Sequence, residues 1–330
     1  MSTIKSMHTN LVYILSILFL VFGIMGYLDI KNNVYSGYST DGDFTITRVE
    51  DGSPAQAAGL QVGDQLVMID SMDVRDTKAW SNEPRTQIGQ TKEYVVNRNG
   101  EDVSTSLTFA AQTSQSSMLN RLGWTMGLIF LLMGLWAFRS RGDWASFLFA
   151  MFALGFANSF MGGPHIENGF LDDLVDTVQF SFVLLAFAFL VDFLLHYPKR
   201  SSSVDSPSHN KKIYGPAIFL VLFFLALTIL KVDATSGLNV FIRYAIFLFV
   251  VVYFGRAILI MVNNYRNASA EEKSGGMSLM FWGTVIGLLP ILIVFAMGTL
   301  MPTMTLPGED YAFITMALIP ITFAMALNKK

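Results

Sequence analysis

The sequence contains no cysteine and little charge. The absence of cysteine from all 330 residues excludes disulfides, thiolate metal sites and a cysteine nucleophile. Asp, Glu, Lys and Arg make up 14% of the chain, against about 25% in an average soluble domain, while 52% of the residues are hydrophobic. This composition predicts a multi-pass membrane protein, and it offers no basic surface for binding nucleic acid.

Motifs of catalysis are missing as well. Histidine is scarce, and the four histidines are His8, His165, His196 and His209. None has the H-E-x-x-H spacing that places two imidazoles and a glutamate base on one helix face. The most deeply placed serines, Ser159 and Ser181, have no histidine at comparable depth, and the sequence has no G-x-S-x-G. We therefore expect no enzymatic activity, no metal site and no cofactor.

Eight apolar runs are long enough to cross a hydrocarbon core of about 30 Å. The first run has no A-x-A-like cleavage site, so we expect a retained anchor rather than a cleaved signal peptide. The runs cover residues 11–30, 121–138, 143–161, 174–196, 213–231, 238–262, 277–300 and 310–327. They divide the chain into a cytoplasmic stub with an anchor (1–30), a soluble module (31–112) and a region of seven membrane helices (113–330), which are expected to contact lipid.

Basic residues are confined to alternate loops of the membrane region. Lys and Arg gather between spans two and three, four and five, and six and seven, and after span eight, whereas the alternate short loops (162–173, 231–237 and 301–309) carry only Lys231. Because such residues stay on the cytoplasmic side, both termini are predicted in the cytoplasm and the module outside it. The module itself is acidic, with 7 Lys and Arg against 12 Asp and Glu.

Local signals in the module predict an α+β domain. Ser53 and Pro54 suit the first positions of a short helix, and Gly59 suits the left-handed position that ends it. A Gly63-Asp64 turn follows. The remaining segments are predicted as strands, namely FTITRV (44–49), QLVMID (65–70) and a hairpin over 92–110 that turns at Asn99-Gly100.

This order of elements resembles a PDZ domain. The stretch GSPAQAAGLQVGDQLVMID (52–70) is similar to the bacterial PDZ pattern, in which G-S-P-A-x-x-A-G-L leads to G-D and then to an I-N-G turn. That turn is Ile69-Asp70-Ser71 here, so a residue with a Cβ occupies a position that favours positive φ. The family's carboxylate-binding loop has no recognisable counterpart, and SGYSTDGD (36–43) is the nearest candidate.

The resemblance implies that a peptide or a protein C-terminus binds as an added strand at the edge of the domain. Our candidates for the groove are Tyr38, Gly42, Trp80 and Ile88. Pro84 interrupts the segment that would form the helical wall of this groove. In the alternative interpretation, the membrane helices cover the groove or the groove no longer binds.

Polar residues inside spans are costly and often functional. Asp192 and Arg256 fall at similar depth in spans four and six, and Asp176 and Arg243 do so near the outer ends of the same spans. This matching makes two ion pairs feasible, provided that spans four and six are neighbours and the side chains face each other, and Asn158 is an isolated polar group in span three. The pairs are either a switchable polar site or fixed structural contacts, and the long side chains can also extend to the interface.

Three stretches of the membrane region resemble the input region of bacterial sensor histidine kinases and related serine phosphatases, which also begin with a span, a PDZ domain and further spans. In that family a cytosolic catalytic domain follows the last span, whereas this sequence stops at Lys330 without an ATP site or a phosphoacceptor. We therefore expect either a separate cytosolic partner or a shortened kinase or phosphatase. The stretches are FLLHYPKR (193–200), residues 263–293 and LIPITFAMALNKK (318–330).

The expected architecture is a membrane all-α bundle of about eight helices with an inserted extracytoplasmic α+β PDZ-like domain. Its expected place is the bacterial inner membrane. Its expected function is signal input from an envelope ligand to a cytosolic kinase, phosphatase or response regulator. One alternative is an adaptor that presents envelope peptides to a separate protease. Another is a small-molecule transporter, although no internal repeat is evident.

Overall fold

Membrane-length helices dominate the computed structural model, which describes residues 2–80, 83–233, 236–300 and 308–329. Within these ranges, eight helices are long and apolar enough to cross a membrane, which is the architecture of a multi-pass membrane protein. Each overlaps one predicted run, so the eight predicted runs are confirmed as helices. They cover Met7–Asn32, Ser114–Arg141, Trp144–Met161, Gly169–His196, His209–Ile229, Gly237–Asn267, Ala270–Val294 and Glu309–Asn328.

The described helices and strands follow one another in a simple order, with the module's strands between the first two spans. Short 3-10 turns at Ile30–Asn32 and Ser202–Asp205 and a π-helical turn at Lys273–Met277 connect some of them, and a 3-10 helix of nine residues, Glu309–Ala317, forms the first half of the last span. In chain order the elements are α1 (Ser2–Asp29), β1 (Val34–Tyr35), β2 (Tyr38–Thr40), β3 (Ile46–Val49), α2 (Pro54–Ala57), β4 (Gln65–Ile69), β5 (Met72–Asp73), α3 (Thr77–Trp80), β6 (Thr91–Arg98), β7 (Glu101–Thr108), β8 (Ala110–Ala111), α4 (Ser114–Arg141), α5 (Trp144–Met161), α6 (Gly169–His196), α7 (His209–Ile229), α8 (Gly237–Asn267), α9 (Ala270–Glu272), α10 (Ser278–Leu300) and α11 (Leu318–Asn328).

The module contains one antiparallel sheet and two smaller strand pairs. The sheet has the order β5-β4-β6-β7, while β2 pairs with β3 and β1 pairs with β8. Ile46, Leu66, Val96 and Leu107 fill its core and are at most 3% exposed. Residues 38–40, expected within a carboxylate-binding loop, instead form a strand, because they pair with β3.

Capping and turn chemistry shape the module as predicted. The Ser53 hydroxyl accepts from the amide of Gln56 at 3.2 Å and so caps α2, and Gly59 follows the helix with φ of +77°. Asp70 and Ser71 have φ of +50° and +66°, so this tight turn is made without glycine.

Close backbone contacts hold the central helices together. A Cβ on Gly127 of α4 would lie 2.7 Å from the carbonyl oxygen of Ala157 on α5. A Cβ on Gly155 of α5 would lie 2.6 Å from the carbonyl oxygen of Phe182 on α6. Small residues at such positions allow helices in a membrane to pack backbone against backbone.

The basic loops meet at one end of the bundle, opposite the module. There Arg141 Nη1 donates to the carbonyl of Leu327 at 3.1 Å, and the Tyr197 hydroxyl donates to the carbonyl of Ala326 at 3.3 Å. Lys199 pairs with Glu272 at 2.8 Å in the same region. The end of α11 is therefore bonded to two of the connecting segments.

Candidate functional site

Strand β2 leaves one edge unpaired among the strands that the structure describes. Its other edge pairs with β3, and the Glu50 amide donates to the carbonyl of Gly37 at 2.9 Å. Because bonded pairs alternate along an antiparallel ladder, the N–H and C=O of Tyr38 point away from β3. This free backbone edge has the hydrogen-bonding groups to receive an extended peptide as an added strand.

The side chains of Tyr38 and Trp80 pack on the core of the module. The Tyr38 ring meets Tyr94 edge-on at 6.1 Å, and the two hydroxyl oxygens are 3.2 Å apart. Burial raises the pKa of Tyr38 and of Tyr94, so both hydroxyls stay protonated at neutral pH. Trp80 Nε1 donates to the carbonyl of Asp73 at 2.9 Å, and the Lys92 ammonium lies 5.5 Å from its ring centroid. Both aromatic residues therefore support the module from inside.

The other two groove candidates lie elsewhere. Ile88 is 47% exposed in a turn before β6, and Gly42 faces the membrane helices. The segment that contains Pro84 forms no regular helix over residues 83–90, as the proline predicts. The structure thus does not bring the four candidates into one groove, and their role as peptide contacts stays a prediction.

Arg85 fastens this irregular segment to the end of α1. Its Nη1 lies 2.7 Å from Asp29 Oδ2, and its Nη2 donates to Asn33 Oδ1 at 2.6 Å. Asp29 also accepts from the backbone amide of His165, which follows α5, at 3.2 Å. The module, α1 and the connection between α5 and α6 therefore share one carboxylate.

A cavity of about 690 Å³ lies between the module and helices α6, α7 and α8. The loop after β2 forms the wall on the side of the module, with Asp41, Gly42 and Phe44. Apolar side chains such as Phe180 and Phe224 form the walls farther along the helices. Its volume is within the range of about 300–1,000 Å³ that is usual for ligand pockets.

The loop over the cavity is fixed by its own hydrogen bonds. Asp41 Oδ1 accepts from the amides of Asp43 and Thr45, both at 2.9 Å. Phe44 has φ of +62°, which is strained for a bulky side chain. Such strain persists only where the surrounding structure holds it, so this loop has a defined shape above the cavity.

Arg243 and Asp176, predicted as a pair, line this same cavity. Arg243 Nη1 donates to the carbonyl of Gly42 at 3.0 Å. A Cβ on Gly42 would collide with that guanidinium, so a larger residue here would have to displace the Arg243 side chain. Among the described ion pairs, none joins Arg243 to Asp176. The two residues therefore share a cavity, but the guanidinium binds the module instead of the carboxylate.

The second predicted pair is also replaced. Asp192 is only 2% exposed, and its carboxylate accepts from His209 Nε2 and from the Tyr214 hydroxyl, each at 2.7 Å. His196 Nδ1 lies 3.3 Å from the same carboxylate. No described ion pair joins Asp192 to Arg256, although α6 packs against α8. Residues of α7 reach both carboxylate oxygens, which explains the correction.

Asn158 is 2% exposed, and its Nδ2 lies 3.4 Å from the carbonyl of Gln179, a contact between α5 and α6. Sequence reasoning missed His196, His209 and Tyr214 as partners of Asp192. The spacing of four residues between Asp192 and His196 on one helix was the available signal.

Asp64 of the module is held by Arg98. The Arg98 Nε and Nη2 atoms donate to its two carboxylate oxygens, each at 2.7 Å, and the Gln61 amide donates at 2.8 Å. The hydrogen bonding from Arg98 is the largest cause that holds the pKa of Asp64 below its usual value, and the hydrogen bond from the Gln61 amide also lowers it. The pair fixes the turn before β4 to the end of β6.

Known proteins match the module. The PDZ domain family matches residues 45–98. The human (Homo sapiens) and mouse (Mus musculus) proteins called Tax1-binding protein 3 are each 35% identical over 68 residues, which is 21% of this chain and 53% of theirs. The chain thus spans about half the length of the curated relatives it matches. No solved structure matches. Residues 45–98 are a PDZ domain, a module that binds peptides or proteins.

Proposed function

We propose that this chain is a non-enzymatic signal-input protein of the bacterial inner membrane. Its PDZ domain, outside the cytoplasm, binds an extended segment of an envelope peptide or protein at the free edge of β2. The helices then bias the binding of a cytosolic kinase, phosphatase or response regulator. The observation that carries this proposal is the bond between Gly42, in the loop after β2, and Arg243 of α8.

This contact supports coupling between the PDZ domain and the membrane helices, because the binding edge of β2 continues directly into the loop that lines the cavity. β2 ends at Thr40, and the fixed turn from Asp41 to Thr45 leads directly into β3. A strand added to β2 would orient the β2–β3 hairpin. Any tilt of the hairpin would then change the position of Gly42 relative to Arg243 and α8.

The proposed sidedness follows from the basic loops. Arg141 and Lys199 lie at the end of the bundle opposite the PDZ domain, near the end of α11. Lys and Arg next to spans favour the cytoplasm. A reporter that is active in the cytoplasm should therefore work when fused after the last residue, and one that is active in the periplasm should be silent. The reverse result would refute this orientation.

The binding edge can be tested by site-specific crosslinking in the native host. A photo-crosslinking residue is placed at Ser39 of β2 or, as a matched control, at Ser106 of β7, since both serines are exposed and both strands lie at edges. We expect Ser39 to capture an envelope peptide or protein that Ser106 does not. Equal capture at both positions, or capture at neither, would contradict binding at β2.

The second candidate function is an adaptor that presents envelope peptides to a separate protease. The free edge of β2 supports it equally well, because presentation needs binding but no coupling to the helices. Affinity purification of the full chain separates the two functions. A cytosolic kinase, phosphatase or response regulator supports signal input, and an envelope protease supports the adaptor.

A further inference from the structure

We propose that the cavity between the PDZ domain and α6, α7 and α8 binds the headgroup of a phospholipid that carries both a phosphate and a primary ammonium group, such as phosphatidylethanolamine. The site is separate from the β2 edge. It does not depend on whether that edge binds a peptide.

The first argument is the depth of the cavity along the spans. Asp176 is seven residues into α6 and Arg243 six residues into α8, which places both about 10 Å from the start of their helices. Each headgroup layer of a bilayer is several Å thick, since the whole bilayer is about 40–45 Å and its hydrocarbon core about 30 Å. The charged groups therefore lie near the level at which lipid headgroups meet the acyl chains.

The second argument is the order of polar and apolar groups. The charged residues Asp176 and Arg243 lie nearer the PDZ domain, and Phe180 of α6 and Ile246 of α8 lie about one turn deeper along the same two helices. An amphiphile aligned with the membrane lipids meets these walls in the same order, with its charged end at the PDZ side. A soluble polar ligand would present no apolar group to Ile246 or to the rings of Phe180 and Phe224, whose centroids are 5.8 Å apart.

The third argument is charge complementarity. The two charged side chains line one cavity, yet no described ion pair within 4 Å joins them, so neither neutralises the other. Arg243 donates through Nη1 to Gly42, and guanidinium groups are suited to phosphate oxygens. The Asp176 carboxylate can accept hydrogen bonds from an ammonium group. A headgroup with both charges satisfies both side chains.

This chemistry discriminates among common phospholipids. Phosphatidylcholine carries a quaternary ammonium group that cannot donate to Asp176. Phosphatidylglycerol carries no cation at all, and its net negative charge is repelled by the nearby carboxylates of Asp41 and Asp173. The expected order of affinity is therefore phosphatidylethanolamine, then phosphatidylcholine, then phosphatidylglycerol.

The test is a titration of the full chain in mild detergent with dioctanoyl forms of these three lipids, followed by native mass spectrometry. Asp176→Asn should weaken phosphatidylethanolamine binding about fivefold or more and should not weaken phosphatidylglycerol binding, because it removes a negative charge from the cavity. Arg243→Gln should weaken all three lipids. Asp205→Asn and Arg121→Gln are matched controls, because both residues are exposed and lie outside the cavity.

Asp176 is exposed, so its substitution by Asn does not endanger the fold. Equal affinity for the three lipids would overturn the proposal. Equal affinity of Asp176→Asn and Asp205→Asn for phosphatidylethanolamine would also overturn it. Since no peptide is present in this titration, either result leaves peptide binding at β2 untouched, and a failure of crosslinking at Ser39 leaves the lipid site untouched.

Discussion

The buried carboxylate of Asp192 gives the sharpest prediction. Asp192→Leu removes the acceptor of both His209 and Tyr214, which bind it at 2.7 Å inside the bundle. Removing one partner from a buried charged network costs about 3–5 kcal/mol. Tyr214→Phe removes only one hydroxyl bond to a charged group, which costs about 1.5–3 kcal/mol.

The two losses should not add, since both substitutions remove the same bond. We expect Asp192→Leu with Tyr214→Phe to lose less than the sum of the single variants, by about 1–2 kcal/mol. Arg256→Leu is the control, because no described ion pair joins it to Asp192. It should add to Asp192→Leu within about 0.5 kcal/mol.

The free energies of unfolding can be measured by SDS titration of the purified protein in a mild detergent, followed by tryptophan fluorescence. Coupling of more than about 1 kcal/mol between Asp192 and Arg256, with additive losses for Asp192 and Tyr214, would refute the arrangement. That result would restore the ion pair that equal depth in the sequence predicts.

Three further predictions concern local structure. The pKa of Asp64 is lower in the folded state than its usual 3.8, because of Arg98, so this stabilisation is present above pH 3.8 and is lost as the pH falls through the folded value. Thermal unfolding between pH 7 and pH 3 should show this acid sensitivity, and Asp64→Asn should reduce it. Ser53→Ala removes the cap of α2 and should destabilise the PDZ domain by about 1 kcal/mol in thermal unfolding of the full chain, whereas an unchanged midpoint would contradict a capping role. Gly276 has φ of +133°, and a Cβ there would lie 2.9 Å from the backbone of α11. Gly276→Ala should therefore lower the midpoint of SDS unfolding. Gly275→Ala is the control and should lower it less, because a Cβ on Gly275 would have open space around it.

The PDZ domain was predictable because its signals are local. The cap at Ser53, the left-handed Gly59 and the Asn99-Gly100 turn each act within a few residues of chain. The eight spans were predictable for a similar reason, since length and apolar composition decide them without reference to neighbours.

The partners of Asp192 and Arg243 were not predictable from depth alone. Equal depth says which groups can meet, but the outcome depends on which helix face each side chain occupies. His209 is the first residue of α7 and follows a connection of twelve residues, so its approach to Asp192 requires the packed structure. Gly42 is in another domain altogether, and its carbonyl leaves no signal in the sequence.

The attachments of the PDZ domain are unequal, and this determines how it can move. On one side the chain enters directly from α1 and leaves within two residues into α4, and Arg85 adds a salt bridge to Asp29 at 2.7 Å. On the other side, among the described residues, one hydrogen bond from Arg243 to Gly42 joins the domain to α8.

A single hydrogen bond that involves a charged group contributes about 1.5–3 kcal/mol, so breaking it costs far less than breaking the covalent connections. Movement of the domain should therefore be a rotation about its α1 and α4 side that lifts the loop at Gly42 away from α8. That rotation would open the cavity. A lipid headgroup that binds both Arg243 and the cavity walls would oppose it, whereas a peptide that reorients β2 would favour or oppose it according to its register. The cavity is thus the part of the molecule in which binding at β2 and the packing of α6, α7 and α8 can affect one another.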